Sequence, residues 1–139
     1  MNSALFARPN PVIPAQPSAD QSGKEGYGVG LSTGSATTTP DIPVATLSAS
    51  TTVPIDGIIL DGNTTATTSA IGVLGCMPPV RVKLSGTVAN GDRLQQAADG
   101  TFVTDAGSGN ARCVCGIALE DGVSGDLIVA QMFAPHILA

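Results

Sequence analysis

The side chains of this 139-residue chain that are equipped for chemistry are few: one histidine, three cysteines and the carboxylates of its turns. Nucleophilic catalysis needs a serine or cysteine with a base in reach, and the one imidazole is His136, behind Pro135 in the last residues. That placement suits an exposed or docked tail histidine better than a member of a triad. Cys113 and Cys115 stand two apart in an apolar run, so on a strand they share a face and act as small buried hydrophobes. A zinc site needs Cys-x-x-Cys pairs or nearby histidines, which Cys76 and the distant His136 do not supply. An odd number of cysteines also argues against a disulfide framework. Glu120, Asp121 and Asp126 surround a glycine-rich turn, but they lack the alternating oxygen spacing of a dedicated calcium loop and read as solvated turn carboxylates. Paired carboxylates for glycoside hydrolysis normally sit in aromatic-lined clefts, and this chain has one Tyr, three Phe and no Trp.

The phosphate-binding patterns fail on context. Gly26-Tyr27-Gly28-Val29-Gly30 has half the glycine spacing of a dinucleotide fingerprint, yet it runs on into Ser32-Thr33-Gly34-Ser35 with no helix to follow. Gly23-Lys24 is followed by Glu25 where a P-loop requires Ser or Thr. Asn63-Thr64-Thr65 matches a glycosylation acceptor but reads only as a loop. The expectation is a protein that is not an enzyme, with no catalytic residue, no cofactor and no metal.

The elements that would have to position any such groups are short strands. Apolar runs bounded by Gly-Asp, Asp-Gly or Ser-Gly recur every eight to twelve residues, the cadence of an all-β module. Tyr27, Val29 and Leu31 alternate with small residues; Val44–Leu47, Val53–Leu60 and Ala70–Met77 follow, with Pro54 marking a strand start or edge. Val80, Val82 and Leu84 face a core while Arg81 and Lys83 face out, the pattern of a sheet with one wet face. Leu94–Ala97 and Thr101–Thr104 read as a hairpin across Asp99-Gly100, and Ala111–Glu120 with Asp126–Phe133 as a final pair. At most, Val88–Gln96 holds a helical turn. Asn90-Gly91-Asp92-Arg93-Leu94 and Ser124-Gly125-Asp126-Leu127-Ile128 form a weak internal echo, each placing Gly-Asp before an apolar strand.

Residues 1–25 differ. Pro9, Pro11, Pro14 and Pro17 remove amide donors and favour extended backbone, giving an N-terminal arm ahead of a β-rich domain over 26–139. The arm reads either as a frayed terminus or as a segment that orders on a partner, with Leu5, Phe6, Val12 and Ile13 as its apolar side chains.

Composition narrows the partners. A net charge of −5 with six basic residues makes nucleic acid and anionic membranes unexpected, and no apolar run is long enough to span a bilayer. Apolar residues make up 42% of the chain, but the large ones are scarce. A domain of this size buries only about two-thirds of its unfolded surface. Oligomerisation or docking on a partner is therefore expected to complete the burial.

The order Val80-Arg81-Val82-Lys83-Leu84-Ser85-Gly86, Gly91-Asp92-Arg93-Leu94, Ala98-Asp99-Gly100-Thr101, Gly116-Ile117-Ala118-Leu119-Glu120 and Gly125-Asp126-Leu127-Ile128-Val129 resembles the small capsid-decoration, or cement, proteins of tailed bacteriophages. The pattern spans roughly Ile55–Phe133; residues 1–54 match it less well. The resemblance implies a compact β-sandwich or barrel-like (β-tulip-type) domain, a homotrimer that binds the major capsid protein. It would stabilise the expanded shell from the outer capsid surface of the virion, after synthesis and assembly in the host bacterial cytoplasm. By placement, Leu5, Phe6, Val12 and Ile13 are the expected capsid contacts. The alternative is a host- or glycan-binding module of a phage tail or fibre.

Overall fold

The computed structural model describes residues 12–32, 42–75 and 77–139, and among these there are ten strands and no helix. The first five are β1 (Val12–Pro17), β2 (Gly28–Ser32), β3 (Val44–Leu47), β4 (Gly57–Asp61) and β5 (Ser69–Val73). They close into a barrel in the order β1-β3-β2-β4-β5, with β1 antiparallel to β5 and parallel to β3. The second five are β6 (Val80–Lys83), β7 (Arg93–Gln96), β8 (Phe102–Thr104), β9 (Arg112–Ala118) and β10 (Leu127–Leu138). They form a sheet in the order β6-β10-β9-β7-β8. Its two edges curl together, because Leu84 bridges Phe102 and the Ser85 amide donates to the Phe102 carbonyl at 3.0 Å.

The prolines of β1 are placed where they cost no ladder bond. The Gln16 and Ser18 amides donate to Pro43 and Ala45 across β3, so the intervening positions face β5. Pro14 precedes the β3 register, which begins at Gln16, and Pro17 lies past the β5 register, which ends at Ala15. Neither is asked for an amide. Residues 12–17, within the stretch read as an arm, are thus extended as a stave of the barrel.

Two turns hold the sheet together, and they repeat each other. In 89–92 and in 123–126 the Asp carboxylate accepts from the amide three residues back, Ala89 and Val123. The glycines Gly91 and Gly125 take φ of 91° and 94°, which side chains disfavour. Gly91 donates to Ala118 and Gly125 to Leu84, while Ala118 and Leu84 return bonds to Asp92 and Asp126. Val88 and Gly122 bridge the two units directly. Every member of one unit finds its counterpart 34 residues on (Leu84 and Ala118, Asp92 and Asp126). The echo in the sequence is a pseudo-twofold pair of strand–turn–strand units.

The large hydrophobic cluster gathers Val82, Leu84, Leu94, Phe102, Cys115, Ile128 and Met132 from the sheet, with Ile55, Ile58, Leu74 and Met77 from the barrel side. The barrel's own cluster is Ala15, Val29, Ala45, Ile59 and Ile71. Three expectations are corrected. The Val53–Leu60 run is strand only from Gly57, because the Gln96 side chain captures the backbone before it: its amide donates to Ser50 at 2.6 Å and its Oε1 accepts from Ile55 at 3.2 Å. Val88–Gln96 holds no helical turn; it is the bridge, the 89–92 turn and β7. The residues after Phe133 continue β10 to Leu138, pairing with Arg112, Cys113 and Val114 after a bulge.

Candidate interaction surface

The residues best equipped for chemistry are occupied by the fold. Asp92 and Asp126 cap the paired turns, Asp121 accepts the Asn90 amide at 2.7 Å, and Glu120 accepts the Val129 amide at 2.9 Å. Asp99 caps the β7–β8 hairpin through Thr101: burial works against its charge, but the Thr101 bonds hold the carboxyl below its ordinary value. Asp105 is shielded with Arg112, each side chain 8% exposed, and that bond keeps its carboxyl low. Among the described residues, no three His, Cys, Asp or Glu side chains converge as a metal site requires. Cys113 and Cys115 are buried, and burial pushes both thiols up, the behaviour of small core hydrophobes. His136 lies on β10, exposed, with its ring 6.0 Å from that of Phe133.

The four apolar residues read as contacts divide. Leu5 and Phe6 lie outside the described residues. Val12 and Ile13 are the first two positions of β1, opposite Gly72 and Ile71, and Ile13 packs on the barrel cluster. Together with Pro14, Asp61, Thr68 and Ala70 they border a shallow surface depression.

The outward face of the second sheet is the surface that sequence reasoning missed. Register places its side chains in rows. Lys83 stands opposite Leu127, Arg81 opposite Val129, and Gln131 opposite Ile117, which in turn faces Arg93. Leu119 joins beside Val129 through its amide bond to the Val129 carbonyl at 2.9 Å. Ile117, Leu119 and Leu127 are 38%, 41% and 38% exposed. The signal was present in Gly116-Ile117-Ala118-Leu119: both phases of the strand are apolar, so one must face away from the core. The basic residues sit on either side of the stripe. The Arg81 guanidinium donates to the Leu127 carbonyl at 3.2 Å and the Lys83 ammonium to Gly125.

No family model matches the sequence, and no curated protein matches it either. Among solved structures, the chain is similar to the N base of the head fibre protein gp8.5 of bacteriophage phi29. The TM-score is 0.66 at 18% identity, over 87% of this chain and 92% of that one. At that identity the likeness is one of fold, and it extends through both the barrel and the sheet.

Proposed function

We propose that this chain is a structural protein of a bacteriophage virion. It binds the outer capsid surface as a homotrimer, contacts the major capsid protein and stabilises the expanded shell without catalysing a reaction. The observation that carries the reading is the shared fold with a phage head fibre base over nearly the full length of both chains. The strand-and-turn pattern that resembles capsid-decoration proteins also supports it. The use of turn carboxylates as caps supports a structural role as well, since groups committed to backbone amides are poorly placed to act on a substrate.

The test is co-sedimentation of purified protein with expanded capsid shells of its own phage, stripped of accessory proteins. Saturable binding in multiples of three per local threefold position, with shells that resist heating better when decorated, is the expected result. Folded protein that stays in the supernatant at every concentration removes the capsid reading.

A further inference from the structure

We infer that the outward face of strands β6, β10, β9 and β7 is the docking surface, and that it fits a protein surface whose carboxylates surround an apolar centre. On the capsid reading above, on which the partner's identity rests, that surface belongs to the outside of the shell. Single exposed hydrophobic side chains are ordinary. Here Leu127, Val129, Leu119 and Ile117 are cross-strand neighbours, so their exposed parts merge into one stripe. Val53 and Ile137, though more exposed, belong to a separate loop and to the far end of β10.

Charge identifies the partner. The chain has six basic residues and a net charge of −5, yet three of the six, Arg81, Lys83 and Arg93, flank this one stripe. Glu120 stands next to Leu119, with its Oε2 tied to the Val129 amide, and Asp105, which neighbours Arg93, is committed to Arg112. Backbone bonds leave the charge of Glu120 in place, as they leave those of Arg81 and Lys83. With three cations to this one carboxylate, the face carries a net positive charge on an acidic protein. A second copy presenting the same face would bring Arg81 and Lys83 against their own counterparts, a repulsion that disfavours a face-to-face dimer. The trimer proposed above joins unlike faces, so it can form through other surfaces and leave this one outward. An acidic surface meets both features: its carboxylates pair with the flanking cations, and its apolar centre covers the stripe. Flanking charges of this kind act chiefly on association rate and its salt dependence, while the buried centre sets the lifetime of the complex.

The experiment measures binding of the full chain to stripped expanded shells across a salt series, with oligomeric state followed by light scattering. Three proteins are compared: wild type, the double variant Arg81→Gln/Lys83→Gln, and Leu119→Gln. All substituted positions are on the outward face, and thermal melts establish that each variant is folded; Arg81→Glu/Lys83→Glu replaces the first pair if the glutamines prove silent. Wild-type binding should weaken as salt rises. The basic-pair variant should bind at least tenfold more weakly at low salt, with a flatter salt dependence, and Leu119→Gln should dissociate faster with the salt dependence kept. Variants that bind like wild type overturn the docking face and leave the capsid reading standing. Variants whose oligomeric state falls apart instead show that a second copy covers this face, and overturn the assignment to an acidic partner. Wild-type protein that ignores the shells removes the capsid reading and this partner with it.

Discussion

The barrel and the sheet each have five strands, yet they are held together by different means. Fully inside the barrel are Ala15, Val29, Ala45, Ile59 and Ile71, two of them alanine, with Ile13, Tyr27, Leu31 and Leu47 only half-buried against them, while the sheet covers Phe102, Leu84, Leu94 and Met132. Hydrophobic stabilisation scales with the apolar area removed from water, so the barrel interior contributes less. It holds by backbone pairing that leaves no free edge and by close approach at glycines. A Cβ on Gly57 would fall 2.7 Å from the Gly72 carbonyl, and one on Gly62 only 2.0 Å from that of Gln21. The barrel side also gives its larger residues, Ile55, Ile58, Leu74 and Met77, to the core it shares with the sheet. The core between the two halves is thus the main source of stability, and the barrel, tightly closed on its own small interior, leans on it.

The largest effect should come from Phe102→Ala, about 4 kcal/mol for removing a fully buried aromatic. The Phe102 ring lies against Gly28 of β2, where an added Cβ would be 3.3 Å from its tip, so the cavity opens between the two halves. Chemical denaturation should show one transition at lower midpoint, with hydrogen exchange protection lost from β1–β5 together with β6–β10. A barrel that stays protected after the sheet has opened would break the comparison. Next is Gly62→Ala, about 3 kcal/mol, because the clash is with backbone that cannot rotate away. Its loss of exchange protection should be concentrated in β1–β5. Gly72→Ala is the control: its Cβ would meet the end of the flexible Met77 side chain, and the cost should be visibly smaller.

That same division governs what could be read in advance. The sheet was legible because its signals are local: Val80, Val82 and Leu84 alternate with charges, and Asp99-Gly100 makes the β7–β8 hairpin with Gly100 at φ 82°. Four of the barrel strands, β2 to β5, are legible as short apolar runs. The closure through β1 is not, because it joins Gln16 to Val44 in parallel and Ile13 to Ile71, pairings set by tertiary fit rather than by neighbours in sequence. Pro14 and Pro17 point to extended backbone, which β1 is, and only the staggered ends of β3 and β5 show why they are tolerated in a stave. The docking face was half legible. Arg81 and Lys83 were placed outward, but the rows that set Ile117 and Leu119 beside Leu127 and Val129 depend on the β9–β10 register.

The joint between the halves offers a third test. Gln96 is fully buried, and its side chain holds the loop ahead of β4 through Ser50 and Ile55. Gln96→Leu keeps the volume but strands those backbone groups, and should cost about 2 kcal/mol. The cost should appear as faster exchange at Ile55 and its neighbours, with β9 and β10 unaffected. Equal loosening of both halves would mean that the loop is no joint.

The smallest effect belongs to the ion pair of Asp105 and Arg112, which ties the end of β8 to the start of β9. Arg112 also donates to the Ala139 carbonyl at 3.4 Å, so the same cation anchors the end of β10. The Arg112 hydrogen bond, opposed by burial and helped by the Gly107 amide, lowers the Asp105 carboxyl from its ordinary value of 3.8. A carboxyl held low in the folded state stabilises it fully above that ordinary value, and the contribution fades as pH falls below it through the folded value. Asparagine still offers the Arg112 guanidinium a carbonyl oxygen to bond, so Asp105→Asn should cost about 1 kcal/mol at pH 7. The difference in Tm between variant and wild type should shrink steadily once pH drops below the ordinary carboxyl value, while high salt should leave much of it in place because the pair is shielded. Asp20 and Asp99 are lowered as well and weaken both proteins alike on acidification, so only the difference between the two curves reports on the pair. Curves that stay parallel to the lowest pH would show that apolar packing alone holds this end of the sheet, and that the contrast with the barrel lies wholly in its core.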